Sequence, residues 1–157
     1  MDPDLRLVLD AFARSADYYR TGATLFAIGA GAAAVGGGAA FALGADPVRA
    51  GCGLVLAALF GAIAFFSRVL ARRYVDEERS PVLRALLHAR DEIVLAQPQR
   101  IAANPRGLGI TGREQHFVRI RLRDGAALGV RVERETQRAL LDALARLAPK
   151  AEVDGRG

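Results

Sequence analysis

The chain has little of the residues on which most protein chemistry depends. Its 157 residues include one cysteine, Cys52, which excludes an intramolecular disulfide. The two histidines, His88 and His116, have no companion ligands at the spacing of a metal site. No serine has a neighbouring base to activate it. The sequence therefore predicts no metal, no cofactor and no catalytic residues, and we expect a protein that is not an enzyme.

Charge is also missing from two long stretches of the chain. Residues 21–44 and 48–69 are apolar and carry no Asp, Glu, Lys or Arg in their interiors. Each stretch has about the 20 residues that a helix needs to cross a bilayer. The link Ala45-Asp46-Pro47 has room only for a tight turn. The sequence thus predicts a transmembrane α-helical hairpin over residues 21–69.

The distribution of arginine predicts how this hairpin is oriented. All basic residues except Lys150 are arginine, a bias typical of a GC-rich genome. Arginines flank the outer ends of the two spans, whereas the turn between them offers only Arg49. The flanking residues are Arg6, Arg14, Arg20, Arg68, Arg72, Arg73, Arg79 and Arg84. By the positive-inside tendency we expect a bacterial inner (cytoplasmic) membrane protein with both termini in the cytoplasm.

A cleavable signal peptide is the competing interpretation of the first span, with Ala40-Phe41-Ala42 as the cleavage site. Four aspartates in the 20 residues before the span disfavour that interpretation.

Residues 1–20 have the pattern of an amphipathic helix. Asp2 and Pro3 suit the N-cap and the first helical position. Apolar residues recur along one face; they are Leu5, Val8, Leu9, Phe12, Ala16 and Tyr19. Two placements remain open for this helix. It lies in the headgroup plane of the membrane, or it packs against the domain that follows the hairpin (residues 70–150) or against a second copy of the chain.

Small residues recur every four positions in both spans, which is typical of close helix packing in membranes. The two ladders are Gly29, Ala33, Gly37 and Gly53, Ala57, Gly61. They serve packing of one span on the other, assembly of a homo-oligomer, or both. A pore is disfavoured, because no polar ring lines either span.

Residues 70–150 have the pattern of a small cytoplasmic α+β domain. The second span should continue as a helix to Arg79, and Ser80-Pro81 then starts a short helix. A strand around residues 93–101 contains Pro98, so it is an edge strand or is bent there. We expect an antiparallel meander of three to four strands closed by a C-terminal helix over residues 134–148, with residues 151–157 as a disordered tail.

The register of the clearest strand pair follows from its alternation. A two-residue turn would oppose Val118 to Arg131 and mix the two faces of the sheet. A three-residue loop, Arg123-Asp124-Gly125 with Gly125 left-handed, instead pairs Val118 with Val130 and keeps the apolar face whole.

The polar side of this strand pair is the candidate binding site. It carries Arg119, Arg121 and Arg131, with Arg113 nearby, and we expect the first three to form one exposed patch. Such a patch suits anionic lipid headgroups. Nucleic acid is disfavoured, because only Phe117 interleaves with the arginines. The alternative is an ordinary solvated face of the sheet.

The run HFVRIRLRDGAALGVRV (His116–Val132), followed by RETQRALLDALARLAP (Arg134–Pro149), resembles the C-terminal part of certain bacterial two-span membrane proteins. Those proteins carry a YcxB-like or bacterial pleckstrin-homology-like domain. The resemblance implies a membrane-tethered binding or scaffolding module. We thus expect a non-enzymatic protein whose α+β module binds a partner protein or anionic headgroups. The rival is an accessory subunit of a larger membrane complex, assembled through its Gly/Ala-rich helices.

Overall fold

The computed structural model describes residues 2–44, 47–101 and 115–154. The elements found there are α1 (Pro3–Ala42), α2 (Pro47–Arg72), α3 (Pro81–His88), a 3-10 turn (Arg90–Glu92), β1 (Ile93–Ile101), β2 (Gln115–Leu122), β3 (Ala127–Val132), α4 (Arg134–Leu147) and β4 (Glu152–Val153). They form two compact units. The helical unit is Ala16–Arg72, and the sheet unit is Met1–Ser15 with Arg73–Gly157.

The helical unit consists of the apolar parts of α1 and α2. Both helices are long and apolar enough to cross a membrane. Large apolar side chains along both helices are exposed, for example Val35 at 73% and Phe65 at 64%. The turn predicted at Ala45-Asp46-Pro47 lies partly outside the described residues. The first predicted span and the predicted N-terminal helix form one continuous helix, α1.

The second helix ends earlier than the sequence suggested. We expected it to continue to Arg79, but α2 ends at Arg72 and turns follow. The reason is local: the Asp76 carboxylate accepts a hydrogen bond from the backbone N–H of Glu78, at 3.1 Å. A short side chain that bonds a backbone group two residues away competes with the helix in this way.

The predicted helix starts are confirmed. The Asp2 carboxylate accepts the N–H of Asp4 at 2.9 Å. The Ser80 hydroxyl accepts the N–H of Leu83 at 3.2 Å, and Pro81 occupies the first turn of α3. In both places a short polar side chain satisfies a backbone donor that the first helical turn leaves unpaired.

The sheet has the strand order β3-β2-β1-β4. Strands β1, β2 and β3 form an antiparallel meander, with Val118 opposite Val130 and Ile120 opposite Leu128, so the predicted register is confirmed. The predicted three-residue loop is also present: Gly125 has φ +89° and Leu122 donates to the Ala126 carbonyl at 2.8 Å.

Two expectations for the sheet are corrected by β4. The sheet is mixed, because β4 pairs in parallel with β1 at Leu95 and Ala96. We expected a disordered tail from residue 151, but Glu152 and Val153 form this short strand. The Asp154 N–H donates to the Ala96 carbonyl at 3.0 Å. That bond satisfies a backbone acceptor on the side of β1 that faces away from β2.

Pro98 lies inside β1, where a proline is tolerated only if its ring nitrogen faces no partner. In a strand, alternate backbone groups point to the same side, so the Pro98 nitrogen points to the side of the Ala96 carbonyl. Among the described residues, that side of β1 pairs with β4 only at Leu95 and Ala96. In this part of the chain β1 is therefore an edge strand at Pro98, one of the two alternatives that the sequence left open.

The core of the sheet unit lies between one face of the sheet and the helices α3 and α4. Val118, Ile120 and Val130 face Leu140 and Leu144, and all five are almost fully buried. The first residues of α1 complete the unit. Phe12 is buried and its ring lies edge-on to that of Tyr74, with centroids 6.1 Å apart. Residues 3–15, which we call the N-terminal segment, thus pack against the rest of the sheet unit.

Candidate functional site

The arginine face is the side of the sheet that faces away from α4, and Arg119 and Arg121 are its exposed basic residues. Both lie on β2, and both alternate with the buried residues Val118, Ile120 and Leu122. Within the described residues neither guanidinium makes an ion pair or a hydrogen bond. The β2 strand therefore presents two charged groups, on one face, to whatever surrounds the protein.

The neighbours of these two arginines on adjacent strands are small or uncharged. Arg119 is opposite Gln97 on β1 and Gly129 on β3, and Arg121 is opposite Leu95 and Ala127. None of these residues has a carboxylate to neutralise the guanidinium groups. Both arginines are exposed. The centre of the arginine face is therefore positively charged.

Arg131 does not belong to this exposed patch as predicted. Its register places it on the same face, opposite Phe117, but the residue is half-buried. Its backbone N–H donates to the Ser15 hydroxyl at 2.9 Å. Contact with the N-terminal segment covers this end of β3, so among the described residues the exposed patch consists of Arg119 and Arg121. The fourth predicted residue, Arg113, lies outside the described residues.

The free edge of β3 is covered by two side chains that the sequence did not mark for this role. Ser15 bonds the backbone of Arg131, and the Tyr74 hydroxyl donates to the Gly129 carbonyl at 2.6 Å. An uncovered edge strand invites pairing with another chain, so these contacts protect the sheet. A signal was present for Ser15: it lies seven residues after Val8 and three after Phe12, on the apolar side of its helix.

An ion pair joins the N-terminal segment to α4. The Arg146 guanidinium donates to both oxygens of the Asp4 carboxylate, at 2.6 and 2.7 Å. These hydrogen bonds are the main reason why the pKa of Asp4 lies below its ordinary value of 3.8. They raise the pKa of Arg146 in turn. The pair is bidentate, the geometry in which arginine holds a carboxylate best.

The two histidines lie far apart in the sequence and in different surroundings. The Nε2 atom of His88 lies 3.1 Å from the Glu77 carboxylate on the surface. His116 is 9% exposed, and its Nδ1 atom has no hydrogen-bond partner among the described residues. In the described ranges no group of three or more His, Cys, Asp or Glu side chains is placed to hold a metal ion.

The predicted small-residue ladders meet at some positions and not at others. A Cβ atom built on Gly53 would lie 2.7 Å from the Gly37 Cα and 3.2 Å from the Ala33 carbonyl. One built on Gly29 would lie 3.1 Å from the Phe60 ring. Ala57 is half-buried. Gly61 differs from the rest of its ladder, because a Cβ atom there would meet nothing within 4 Å in the described structure.

The geometry defines a protein with two long apolar helices and a small α+β unit whose sheet carries an exposed arginine pair. Comparison of the chain with protein-family models, curated proteins and solved structures finds no match.

Proposed function

We propose that this chain is a non-catalytic integral membrane protein of a bacterial inner membrane, with both termini in the cytoplasm. The exposed apolar side chains of the helical unit support the anchoring. In water an apolar surface of this extent promotes aggregation. In the hydrocarbon region of a bilayer the same surface is well solvated, and helices satisfy all their backbone hydrogen bonds internally.

The sheet unit of this protein binds an anionic surface through Arg119 and Arg121, and headgroups of acidic lipids are its ligand. The observation that carries this proposal is the unpaired state of both guanidinium groups in the described structure, with uncharged residues on either side. A basic residue near an anionic membrane contributes about 1 kcal/mol to binding. Two such residues together give an affinity gain of roughly thirtyfold at low salt.

The test uses the full chain in nanodiscs of phosphatidylcholine, mixed with vesicles that contain or lack phosphatidylglycerol. We expect binding to anionic vesicles that weakens as salt rises, because exposed charges are screened. The double variant Arg119→Gln/Arg121→Gln should bind roughly thirty times more weakly. The control Arg134→Gln/Arg138→Gln removes the same charge from exposed positions on α4. Wild-type protein that ignores anionic vesicles at low salt would leave a partner protein as the ligand of this face.

A second candidate function is that of an accessory subunit in a larger membrane complex. The observation that favours it is the surplus of glycine away from the Gly37–Gly53 contact. Cβ atoms built on Gly31, Gly36 or Gly38 would meet nothing within 4 Å in the described structure, so these positions have room for another helix. Purification in mild detergent separates the two functions. Stoichiometric recovery with one complex favours the subunit, whereas recovery alone or as a homo-oligomer favours the binding module.

A further inference from the structure

A cavity of about 170 Å³ lies in the sheet unit, between the N-terminal segment and the junction of β3 with α4. We call it the N-terminal pocket. One wall comes from the N-terminal segment and consists of Leu7, Ala11 and Arg14. The other wall comes from the end of β3 and the first turns of α4, and it includes Arg131, Glu133 and Leu140. The pocket thus exists only where the first residues of the chain pack on residues more than a hundred positions later.

The hydrogen bond between Ser15 and Arg131 explains why two arginines line this pocket. Arg14 precedes Ser15 in the same helical turn, so fixing Ser15 on the backbone of Arg131 places both arginines beside one cavity. The only carboxylate among the lining residues belongs to Glu133. The residues that line the pocket therefore carry a formal net charge of one positive, which suits a ligand with a single negative charge.

Apart from these charged residues and Thr136, the lining of the pocket is apolar, and the pocket is small. Leu7, Ala11, Val132 and Leu140 supply its apolar lining. For scale, a cavity of about 150 Å³ lined by apolar side chains holds one benzene molecule. A ligand that fills this pocket consequently has an apolar body of about one ring.

We propose that the N-terminal pocket binds a small organic carboxylate whose apolar body is about the size of one ring. The carboxylate lies against Arg14, because a guanidinium group holds a planar carboxylate through paired hydrogen bonds. The apolar body lies between Leu7, Ala11 and Leu140. Since both walls contact the ligand, binding also holds the N-terminal segment on the sheet.

Benzoate is the probe for this site, titrated into the full chain in phosphatidylcholine nanodiscs with empty nanodiscs as the blank. We expect saturable shifts of the Ala11 and Leu140 methyl signals in NMR spectra and a higher melting temperature. Benzyl alcohol has the same ring without the charge, and acetate has the charge without the ring. Each should bind at least ten times more weakly than benzoate.

Variants locate the site and give effects of opposite sign. Arg14→Gln alters an exposed residue and should weaken benzoate binding at least tenfold, and Ala11→Phe should abolish it by filling the cavity. Glu133→Gln removes a negative charge that repels the benzoate carboxylate, so it should strengthen binding. Arg119→Gln, on the arginine face, should leave benzoate binding unchanged, so the result is separate from the proposed lipid binding. The proposal is overturned if benzoate does not saturate, if benzyl alcohol binds equally well, or if Arg14→Gln has no effect.

Discussion

The Ser15 hydroxyl accepts a hydrogen bond of 2.9 Å from the backbone N–H of Arg131, 116 residues later in the chain. The same hydroxyl donates to the Ala11 carbonyl, also at 2.9 Å. Ser15 therefore bonds its own helix and the edge of the sheet at once. This contact closes the β3 edge and fixes the N-terminal segment beside α4.

Replacing Ser15 with alanine should destabilise the sheet unit by about 1–3 kcal/mol, because the half-buried Arg131 N–H loses the acceptor that the Ser15 hydroxyl provides. Amide exchange at Arg131, measured by NMR, should become faster. Thr24→Ala is the matched control, since the Thr24 hydroxyl bonds the Arg20 carbonyl of its own helix. Unchanged exchange at Arg131 in Ser15→Ala would show that the hydroxyl does not protect the edge.

Gly53→Ala should destabilise the contact between α1 and α2 within the helical unit. The new methyl group would lie 2.7 Å from the Gly37 Cα, so the two backbones must move apart. Gly36→Ala is the control, because its methyl group meets no described atom within 4 Å and alanine is the better helix former. Unfolding in mixed micelles with rising SDS, followed by circular dichroism, measures both. Equal stability of the two variants would contradict the close contact.

The ion pair of Asp4 with Arg146 should make stability depend on pH in the acid range. The pKa of Asp4 is lowered in the folded protein, so the stabilisation is complete above the ordinary value of 3.8 and is lost as the pH falls through the lowered pKa. Asp4→Asn should therefore be less stable than wild type at neutral pH and equally stable in strong acid. Asp10→Asn, an exposed site on the same helix, should show no such convergence. Melting temperatures between pH 7 and pH 2 test this, and a constant difference would refute it.

Gly125→Ala should destabilise the β2–β3 hairpin by about 1–2 kcal/mol, since its φ of +89° is unfavourable for a residue with a Cβ atom. Gly125→Asn should recover part of the loss, because asparagine tolerates positive φ better. Chemical unfolding of the three proteins gives the comparison. An alanine variant as stable as wild type would mean that the loop has another conformation in solution.

Reporter fusions at Met1 and at Gly157 should both report a cytoplasmic location. The reason is the excess of arginine outside the two spans over the single Arg49 between them. A fusion after Gly44, between the spans, is the control and should report the opposite side. A periplasmic signal from either terminus would overturn the proposed orientation.

Local pattern was enough to predict much of this fold. The alternation of Val118, Ile120 and Leu122, together with Gly125, determined the register of the hairpin, because only one loop length keeps the apolar face intact. Ser80 and Pro81 determined the start of α3 for a similar reason, since the cap and the donor it satisfies are three residues apart. The two apolar runs likewise determined where the long helices lie.

The sequence predicted the face on which the arginines lie, but it did not predict which of them are exposed. Alternation placed Arg119, Arg121 and Arg131 on one face, and the structure agrees with that placement. Which of them is exposed depends on what covers the edge of β3. The N-terminal segment does so, and no periodicity within β3 carries information about residues 3–15.

The sequence by itself determined the features whose physical cause lies within a few residues: helix starts, strand alternation, loop length and the absence of charge from two long runs. Only the tertiary structure decided the partners of Ser15, the burial of Arg131, the parallel pairing of Glu152 with Leu95 and the existence of the N-terminal pocket. Each of these depends on backbone donors and acceptors, or on apolar side chains, that are distant in the chain. A donor at a strand edge can be satisfied by any suitable acceptor that packing brings near, so its partner follows from the arrangement of whole elements.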